Sequence, residues 1–383
     1  MCLRVVDRVP DRFDRGRLSP ASMSMDAIHL LGLLPHDLVS ALNARGERCS
    51  ITEARQVLSR IISDGAEDPT PRREPRKALV RALHAHATWR RLEVLERVPD
   101  GEGKSVRYLF RSPDGALSEA VRIGLHKADH YTVCLSSQVG CAMQCAFCAT
   151  GRLGLTRNLA PWEIVAAFLT VRDEAPGRVS GAVFMGQGEP FHSYDAVIQA
   201  ARVLSDPAGG RIAKENITIS TVGLVPQIRR FTRENQPFKL IVSLTSTDPA
   251  RRVALLPVAG RTPLSELAAA LREYATIAHD RVTVAWVVVG GVNTGPDEVE
   301  GLRRLIGDLH LRINLIDVND SRPDGFARAT PDELRRFLDD LQVLGVPVVR
   351  RYSVGQDQDS ACGMLAARRS STALDTASDS RAP

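Results

Sequence analysis

Cys141-Ala-Met-Gln-Cys145-Ala-Phe-Cys148 places three thiols within eight residues. The spacing C-x3-C-x2-C lets one loop offer three thiolates, the number that holds three irons of a [4Fe-4S] cube and leaves the fourth open. An open iron is a coordination site for a reagent, so the pattern points to a catalytic cluster rather than an electron store. A structural zinc takes four protein ligands, and this motif supplies three. Two further cysteines lie outside it. Cys134 is seven residues before the motif, and Cys362 sits in Asp359-Ser360-Ala361-Cys362-Gly363-Met364-Leu365. Taken singly, either is a small buried hydrophobe by default.

The elements that must position these residues can be read from periodicity. From His130 onward, strand candidates at His130–Leu135, Gly181–Met185, Asn216–Ser220, Leu240–Leu244, Val282–Val289 and Arg312–Asp317 alternate with amphipathic helices. The helices include Pro161–Arg172, Pro263–Ala275, Pro296–Leu309 and Thr330–Leu344, several with capping residues at their starts. Such repeats imply an α/β fold with a parallel sheet. In parallel βα folds chemistry sits at the C-terminal strand ends, which is where the cysteine loop emerges. The second strand ends in Met185-Gly186-Gln187-Gly188-Glu189-Pro190, where glycines allow close backbone approach and a carboxylate follows.

Upstream, Val106–Phe110 and Glu119–Ile123 read as a hairpin around Pro113-Asp114-Gly115. Residues 25–95 read as short helices, for example from Thr52 to Leu58 onward. Here Arg72, Arg73, Arg76, Lys77, Arg81, Arg90 and Arg91 oppose only Glu74. Such a stretch either neutralises RNA phosphates or is a solvated helix face. Composition gives a disordered 1–24 and a disordered tail 366–383.

Composition narrows the class. The 383 residues are 44% hydrophobic, enough for a sizeable core. No run approaches the roughly 20 apolar residues of a membrane span, and no apolar signal region opens the chain. Seven cysteines, five of them in motif segments, suit reduced thiols in the cytoplasm rather than a disulfide framework. A net charge of +5 is compatible with a nucleic-acid partner. Nothing reads as an exposed apolar seam, so a monomer is expected.

With Phe147 before the last cysteine, the motif resembles the signature of the radical S-adenosylmethionine (SAM) superfamily. In that superfamily SAM chelates the fourth iron and is cleaved to methionine and a 5′-deoxyadenosyl radical. The wider context is Cys134-Leu-Ser-Ser-Gln-Val-Gly-Cys141 through Ala149-Thr150-Gly151 and Arg157-Asn158-Leu159, with the Cys362 segment. It is similar to the adenine-2 methyltransferases of ribosomal RNA and their adenine-8 resistance relatives, from about Glu119 to Leu365. The resemblance implies a partial (β/α)6 barrel with a small, mainly helical N-terminal accessory domain, dividing the chain into an accessory region 25–118 and a catalytic region 119–365. It also implies a [4Fe-4S] cluster on Cys141, Cys145 and Cys148, and two SAM molecules per turnover. Gly188, Glu189, Ser220, Ser243, Leu244, Thr245 and Asn319 would contact SAM. The implied partners are a ribosomal or transfer RNA and an external electron donor such as flavodoxin.

In that family the counterpart of Cys362 is methylated by one SAM, and the radical from a second removes a hydrogen from the methyl group. The resulting carbon radical adds to adenine, whose electron-poor carbon 2 resists ordinary methyl transfer. The counterpart of Cys134 then attacks the cysteine sulfur, freeing methylated RNA and leaving a disulfide. Glu119 aligns with the family's proton acceptor.

The chain departs from the family at several positions. Gln187 replaces a methionine, Thr245-Ser246-Thr247 replaces His-Ala-Pro, and Asp320-Ser321-Arg322 follows Asn319 in place of Pro-Phe. The usual glutamine after Glu163-Ile164 is absent, with Ala166 and Ala167 nearby. These changes surround the cofactor and substrate pocket, leaving carbon 2 or carbon 8, and the target adenine, open. Two other readings stand beside this one: a radical SAM enzyme acting on another RNA or a peptide, and an RNA-binding module with zinc on Cys134, Cys141, Cys145 and Cys148.

Overall fold

The computed structural model describes residues 27–72, 76–101, 103–278, 281–319, 322, 325–351 and 364–365. Cys362 and the termini expected to be disordered lie outside these residues. The N-terminal region holds β1 (Ile28–His29), α1 (Pro35–Asn43), α2 (Ile51–Leu58), α3 (Lys77–His86) and β2 (Ala87–Thr88). Strands β3 (Glu93–Pro99), β4 (Ser105–Arg111), β5 (Leu117–Gly124) and β6 (His130–Leu135) follow. The cysteine segment forms β7 (Gln138–Cys141), the short helix α4 (Ala149–Arg152) and β8 (Gly154–Asn158). Then come α5 (Pro161–Asp173), β9 (Arg178–Phe184), α6 (Tyr194–Ser205), β10 (Ile217–Thr221), α7 (Val225–Arg233), β11 (Lys239–Ser243) and α8 (Pro249–Leu255). The chain continues through α9 (Leu264–Ala275), β12 (Val282–Val288), α10 (Pro296–Ile306), β13 (Leu311–Asp317), α11 (Pro331–Leu341) and β14 (Val348–Arg351).

Ten strands form one sheet in the order β14-β13-β12-β11-β10-β9-β6-β5-β4-β3. Pairing from β6 through β9 to β14 is parallel throughout. The α/β barrel architecture is the one the βα alternation indicates, with two additions. The four-residue β14 is a further parallel strand beyond the six expected. The hairpin expected around Pro113-Asp114-Gly115 is β4-β5, and β3 extends it into an antiparallel ribbon on the same sheet, so strands as well as helices precede residue 119.

Helix boundaries follow local chemistry. Ser50 and Glu53 form a reciprocal capping box that starts α2, and Thr330 with Glu333 does the same for α11. Proline stands in the first turn of α1, α5, α8, α10 and α11, where its missing N–H costs nothing. Buried along most of its length, α5 has the sheet on one side and the Leu30–Gly32 turn on the other. A Cβ on Gly32 would lie 3.0 Å from the Trp162 nitrogen, so the N-terminal region packs backbone to backbone here.

Strand alternation separates two faces. Outward residues such as Val133, Phe184, Ile219, Val242, Trp286 and Leu315 build the main core beneath the helices. Inside the barrel, Val121, Cys134 and Leu365 cluster with Val183 and Met185, while Ile241, Ala285 and Ile316 form a second group. Ser220, Ser243 and Asn314 share this inner face by register with Ile241 and Ala285.

Candidate active site

The cysteine loop is a hairpin with a tight entry. Gly140 has φ +75, and a Cβ there would meet the Gly154 carbonyl at 1.9 Å, so glycine is required. Gln144, between the first two cysteines, also takes positive φ. Arg157 braces the hairpin by bonding both Asp114 and Glu163, while Asn158 accepts from the Gln138 amide at 2.7 Å. These motif residues therefore hold the loop in place.

Cys141 and Cys145 are buried and Cys148 is half-buried, against Met143, Leu255, Leu256, Val289, Val318 and Phe147. Burial pushes the Cys141 thiol up to about 12, the Met143 N–H (3.5 Å) opposing and the charge of Cys148 adding to the rise. Burial pushes Cys145 up as well. Thiolates in this apolar nest require positive charge beside them. Among the described residues no group of three His, Cys, Asp or Glu side chains is arranged to hold a single metal ion. Three cysteines from one loop, an apolar wall and an N–H directed at sulfur fit a sulfide-bridged iron cluster.

The turn after β9 was expected to approach a ligand through its glycines. In the fold both glycines also pack tightly against the β6–β7 segment. A Cβ on Gly186 would lie 2.8 Å from the Leu135 carbonyl, and one on Gly188 2.6 Å from Gln138 Cβ. Glu189 is buried, with its carboxylate accepting from the Phe191 and Val222 N–H groups at 2.9 Å each. Burial raises Glu189 to about 7, those N–H donors opposing. It thus ties the end of β9 to the end of β10 and retains lone pairs for a further donor.

The other expected SAM contacts gather at the C-terminal strand ends, with one exception. Ser220 and Ser243 face the barrel interior. Leu244 turns its side chain into the main core; its N–H donates to Ala285 and its carbonyl accepts from Arg252. Thr245 has φ +63, rare for a β-branched residue. Asn319 donates to the Asp317 carbonyl at 3.1 Å and accepts from Arg328 at 2.5 Å. Thr245 Oγ1, Asn314 Oδ1 and Gln187 Nε2 are buried without a hydrogen-bond partner among the described residues. Of these, Asn314 faces the barrel interior by register, and orphaned polar atoms near the strand ends are what a polar cofactor such as SAM would satisfy.

Sequence reasoning missed the groups that hold the Ser243–Thr245 loop. Glu298 is fully buried and accepts from Ser246 Oγ, Thr247 N–H, Thr247 Oγ1 and Arg251. Asn293, also fully buried, donates to the Thr245 carbonyl at 2.6 Å and to the Val287 carbonyl at 2.7 Å. The one local signal was an acidic residue in the first turn of α10.

Glu119 is buried, its carboxylate 2.5 Å from Arg107 and its N–H donating to Gln187 Oε1 at 3.1 Å. It lies two residues from Val121, which pairs directly with Cys134 across β5 and β6. Leu365 packs on both Val121 and Cys134, and its carbonyl accepts from Thr150 Oγ1 at 2.6 Å. The chain three residues beyond Cys362 therefore meets both the cysteine loop and Cys134. Cys49, Cys134, Cys141, Cys145 and Cys148 form no disulfides among themselves.

Part of the basic N-terminal stretch is neutralised by carboxylates remote in sequence. Arg76 pairs with Glu53 at 2.5 Å and Arg91 with Asp173 at 2.7 Å, while Arg72 lies 3.8 Å from the nearby Asp64. No described helix is long and apolar enough to cross a membrane.

Comparison with known proteins agrees with this geometry. Residues 135–306 match the Radical SAM superfamily. A probable RNA methyltransferase of Anaeromyxobacter sp. is 46% identical, over 89% of this chain and 99% of its own. The dual-specificity RNA methyltransferase RlmN of Anaeromyxobacter dehalogenans is 37% identical, over 90% of this chain and 94% of its own. The crystal structure of a radical SAM methyltransferase from Sphaerobacter thermophilus is 36% identical, superposes with a TM-score of 0.81 and covers 89% of this chain and 100% of that one. Together with three cysteines on an apolar floor at the mouth of a parallel barrel, these likenesses establish that the chain belongs to the radical SAM RNA methyltransferases of the RlmN type.

Proposed function

We propose that this enzyme methylates an adenine ring carbon, carbon 2 in preference to carbon 8, in ribosomal or transfer RNA. Cys362 carries the methyl group and becomes transiently crosslinked to the RNA, and Cys134 releases the product. Family membership implies a [4Fe-4S] cluster on Cys141, Cys145 and Cys148, which with SAM supplies methyl groups and radical chemistry when bound. An external one-electron donor such as flavodoxin feeds it, and the protein acts as a monomer in the cytoplasm, consuming two SAM per turnover.

The observation that carries this reading is the docking of Leu365 on Cys134 and Val121, with Thr150 holding its carbonyl. Three residues of extended chain span about 10–11 Å at most, and this chain length is what supports a meeting of the two thiols. The Cys134 thiolate attacks the sulfur of Cys362, and the S–S bond forms as the S–C bond breaks. The electron pair of the S–C bond passes to the bridging carbon, which takes up a proton to become the methyl group of the product, and a disulfide is left between the two cysteines. Glu119, on the same sheet face and paired with Arg107, takes the ring proton. Gly188, Glu189, Ser220, Ser243, Thr245 and Asn319 hold SAM, whereas Leu244 contributes through the backbone that leads into Thr245.

The test is the mass of the Cys362 peptide from protein expressed with its cluster intact. A peptide one methylene heavier, modified on Cys362, is the expected result. An unmodified Cys362 in cluster-replete protein overturns the methyl-cysteine route. Nucleoside analysis of RNA treated with the enzyme then distinguishes carbon 2 from carbon 8.

A further inference from the structure

Arg252, on α8, is 3% exposed. Its Nε donates to the Leu244 carbonyl at 3.1 Å, and its Nη2 donates to the Val222 carbonyl at 3.0 Å and the Ser243 carbonyl at 3.3 Å. All three acceptors are neutral carbonyls at the C-terminal ends of β10 and β11. Its neighbour Arg251, by contrast, pairs with Asp297 and Glu298. A guanidinium withdrawn from water is costly unless a negative charge lies close by. Among the described residues no carboxylate pairs with Arg252, and its hydrogen bonds go to carbonyls alone.

What lies against this helix is the cysteine loop. The Leu255 carbonyl accepts from the Ala146 N–H at 3.0 Å, between the second and third cysteines. Leu255 and Leu256 pack in the same apolar group as Cys141, Met143 and Cys145. Burial lowers Arg252 to about 10, and the charge of Cys145 acts in the opposite sense. The guanidinium therefore stays cationic at neutral pH.

We propose that Arg252 is the built-in counter-cation of the iron–sulfur cluster and sets its reduction potential. The proposal rests on the reading that Cys141, Cys145 and Cys148 hold a [4Fe-4S] cluster. A cube carrying three thiolates is anionic, and one electron from an external low-potential donor adds a further negative charge with no bond made or broken. A fixed cation in a water-poor site stabilises the reduced form more than the oxidised form, and so raises the potential. Arg252 is in this sense a positioning residue, acting on the electron balance of the cluster without touching RNA.

The experiment is a reductive titration, followed by electron paramagnetic resonance, of anaerobically reconstituted full-length protein and its Arg252→Gln and Arg252→Lys variants. Iron and sulfide are measured first; a wild-type protein without them sinks the cluster reading itself. With clusters present, Arg252→Gln is expected to favour the oxidised form at least tenfold more than wild type, a midpoint lower by about 59 mV for one electron. Arg252→Lys keeps the charge and is expected to stay near the wild-type midpoint. An unchanged midpoint in cluster-replete Arg252→Gln overturns the proposal. If Arg252→Gln takes up no cluster, Arg252→Lys decides. Wild-type iron content and midpoint in the lysine variant support a charge role. Loss of the cluster there too makes Arg252 a brace for strand ends and overturns the proposal.

Discussion

The Thr150 hydroxyl donates a 2.6 Å hydrogen bond to the Leu365 carbonyl across a sequence separation of 215 residues. Thr150 follows the last motif cysteine by two residues, and Leu365 follows Cys362 by three. Two segments that the proposed reaction needs together are thus joined by one buried contact. Replacing Thr150 with Val keeps the shape and strands the carbonyl, at a cost of about 1–3 kcal/mol. Hydrogen exchange at Met364 and Leu365 is expected to speed up and methyl transfer to fall, with Thr150→Ser close to wild type. Unchanged exchange in Thr150→Val would show that this contact does not anchor the segment.

Gly188 should not tolerate a side chain. Its φ is +97, and an added Cβ would lie 2.6 Å from Gln138 Cβ and 2.8 Å from Ser137 Oγ. Gly188→Ala is expected to lose about 1–3 kcal/mol through backbone strain and a similar amount through overlap. Urea unfolding measures the sum; a loss below about 1 kcal/mol contradicts the packing role.

Glu189 makes stability depend on pH in an uncommon sense. Its carboxyl is raised from 4.5 to about 7, chiefly by burial. The folded chain therefore holds a proton that the unfolded chain releases between those values. This contribution is fully present below pH 4.5 and is lost as pH rises through about 7. The shift corresponds to about 3 kcal/mol. Glu189→Gln is expected to flatten this part of the profile, though it leaves one backbone N–H without its acceptor. Unfolding free energies from about pH 5 to about pH 8 check both the sign and the flattening.

Thr245 is strained where cofactor contact is proposed. A β-branched residue at φ +63 pays about 1–3 kcal/mol in backbone strain, whereas Asn adopts this region readily. Thr245→Asn is expected to raise stability by about 1 kcal/mol and to weaken SAM binding, read by equilibrium dialysis. A destabilised Thr245→Asn would indicate that the Thr245 side chain packs favourably enough to outweigh the strain.

Glu298 should matter to the same loop without touching the cofactor. It accepts four hydrogen bonds from Ser246, Thr247 and Arg251 while fully buried. Glu298→Ala leaves those donors unmet and is expected to cost about 3–5 kcal/mol, with SAM affinity falling alongside. Retained affinity in folded Glu298→Ala would separate the loop from the cofactor site.

What the sequence by itself determined is local. The period-2 and period-3.6 alternation placed six parallel strands, each within three residues of its observed start. The capping residues placed the helix starts, and the cysteine spacing marked one short segment as the candidate ligand loop because all three thiols lie within it. Tertiary structure decided whatever depends on a partner far along the chain. Periodicity could not say that Gly186 and Gly188 make room for Leu135 and Gln138. Nor could it say that Leu244 turns into the core, or that Arg76 meets Glu53. Glu298, Asn293 and Arg252 carried no sign of the loop and strand ends they fasten. Hydrogen bonds and buried ion pairs are satisfied by proximity in space, and a residue's type and neighbours do not encode which distant carbonyl or carboxylate the fold will bring to it.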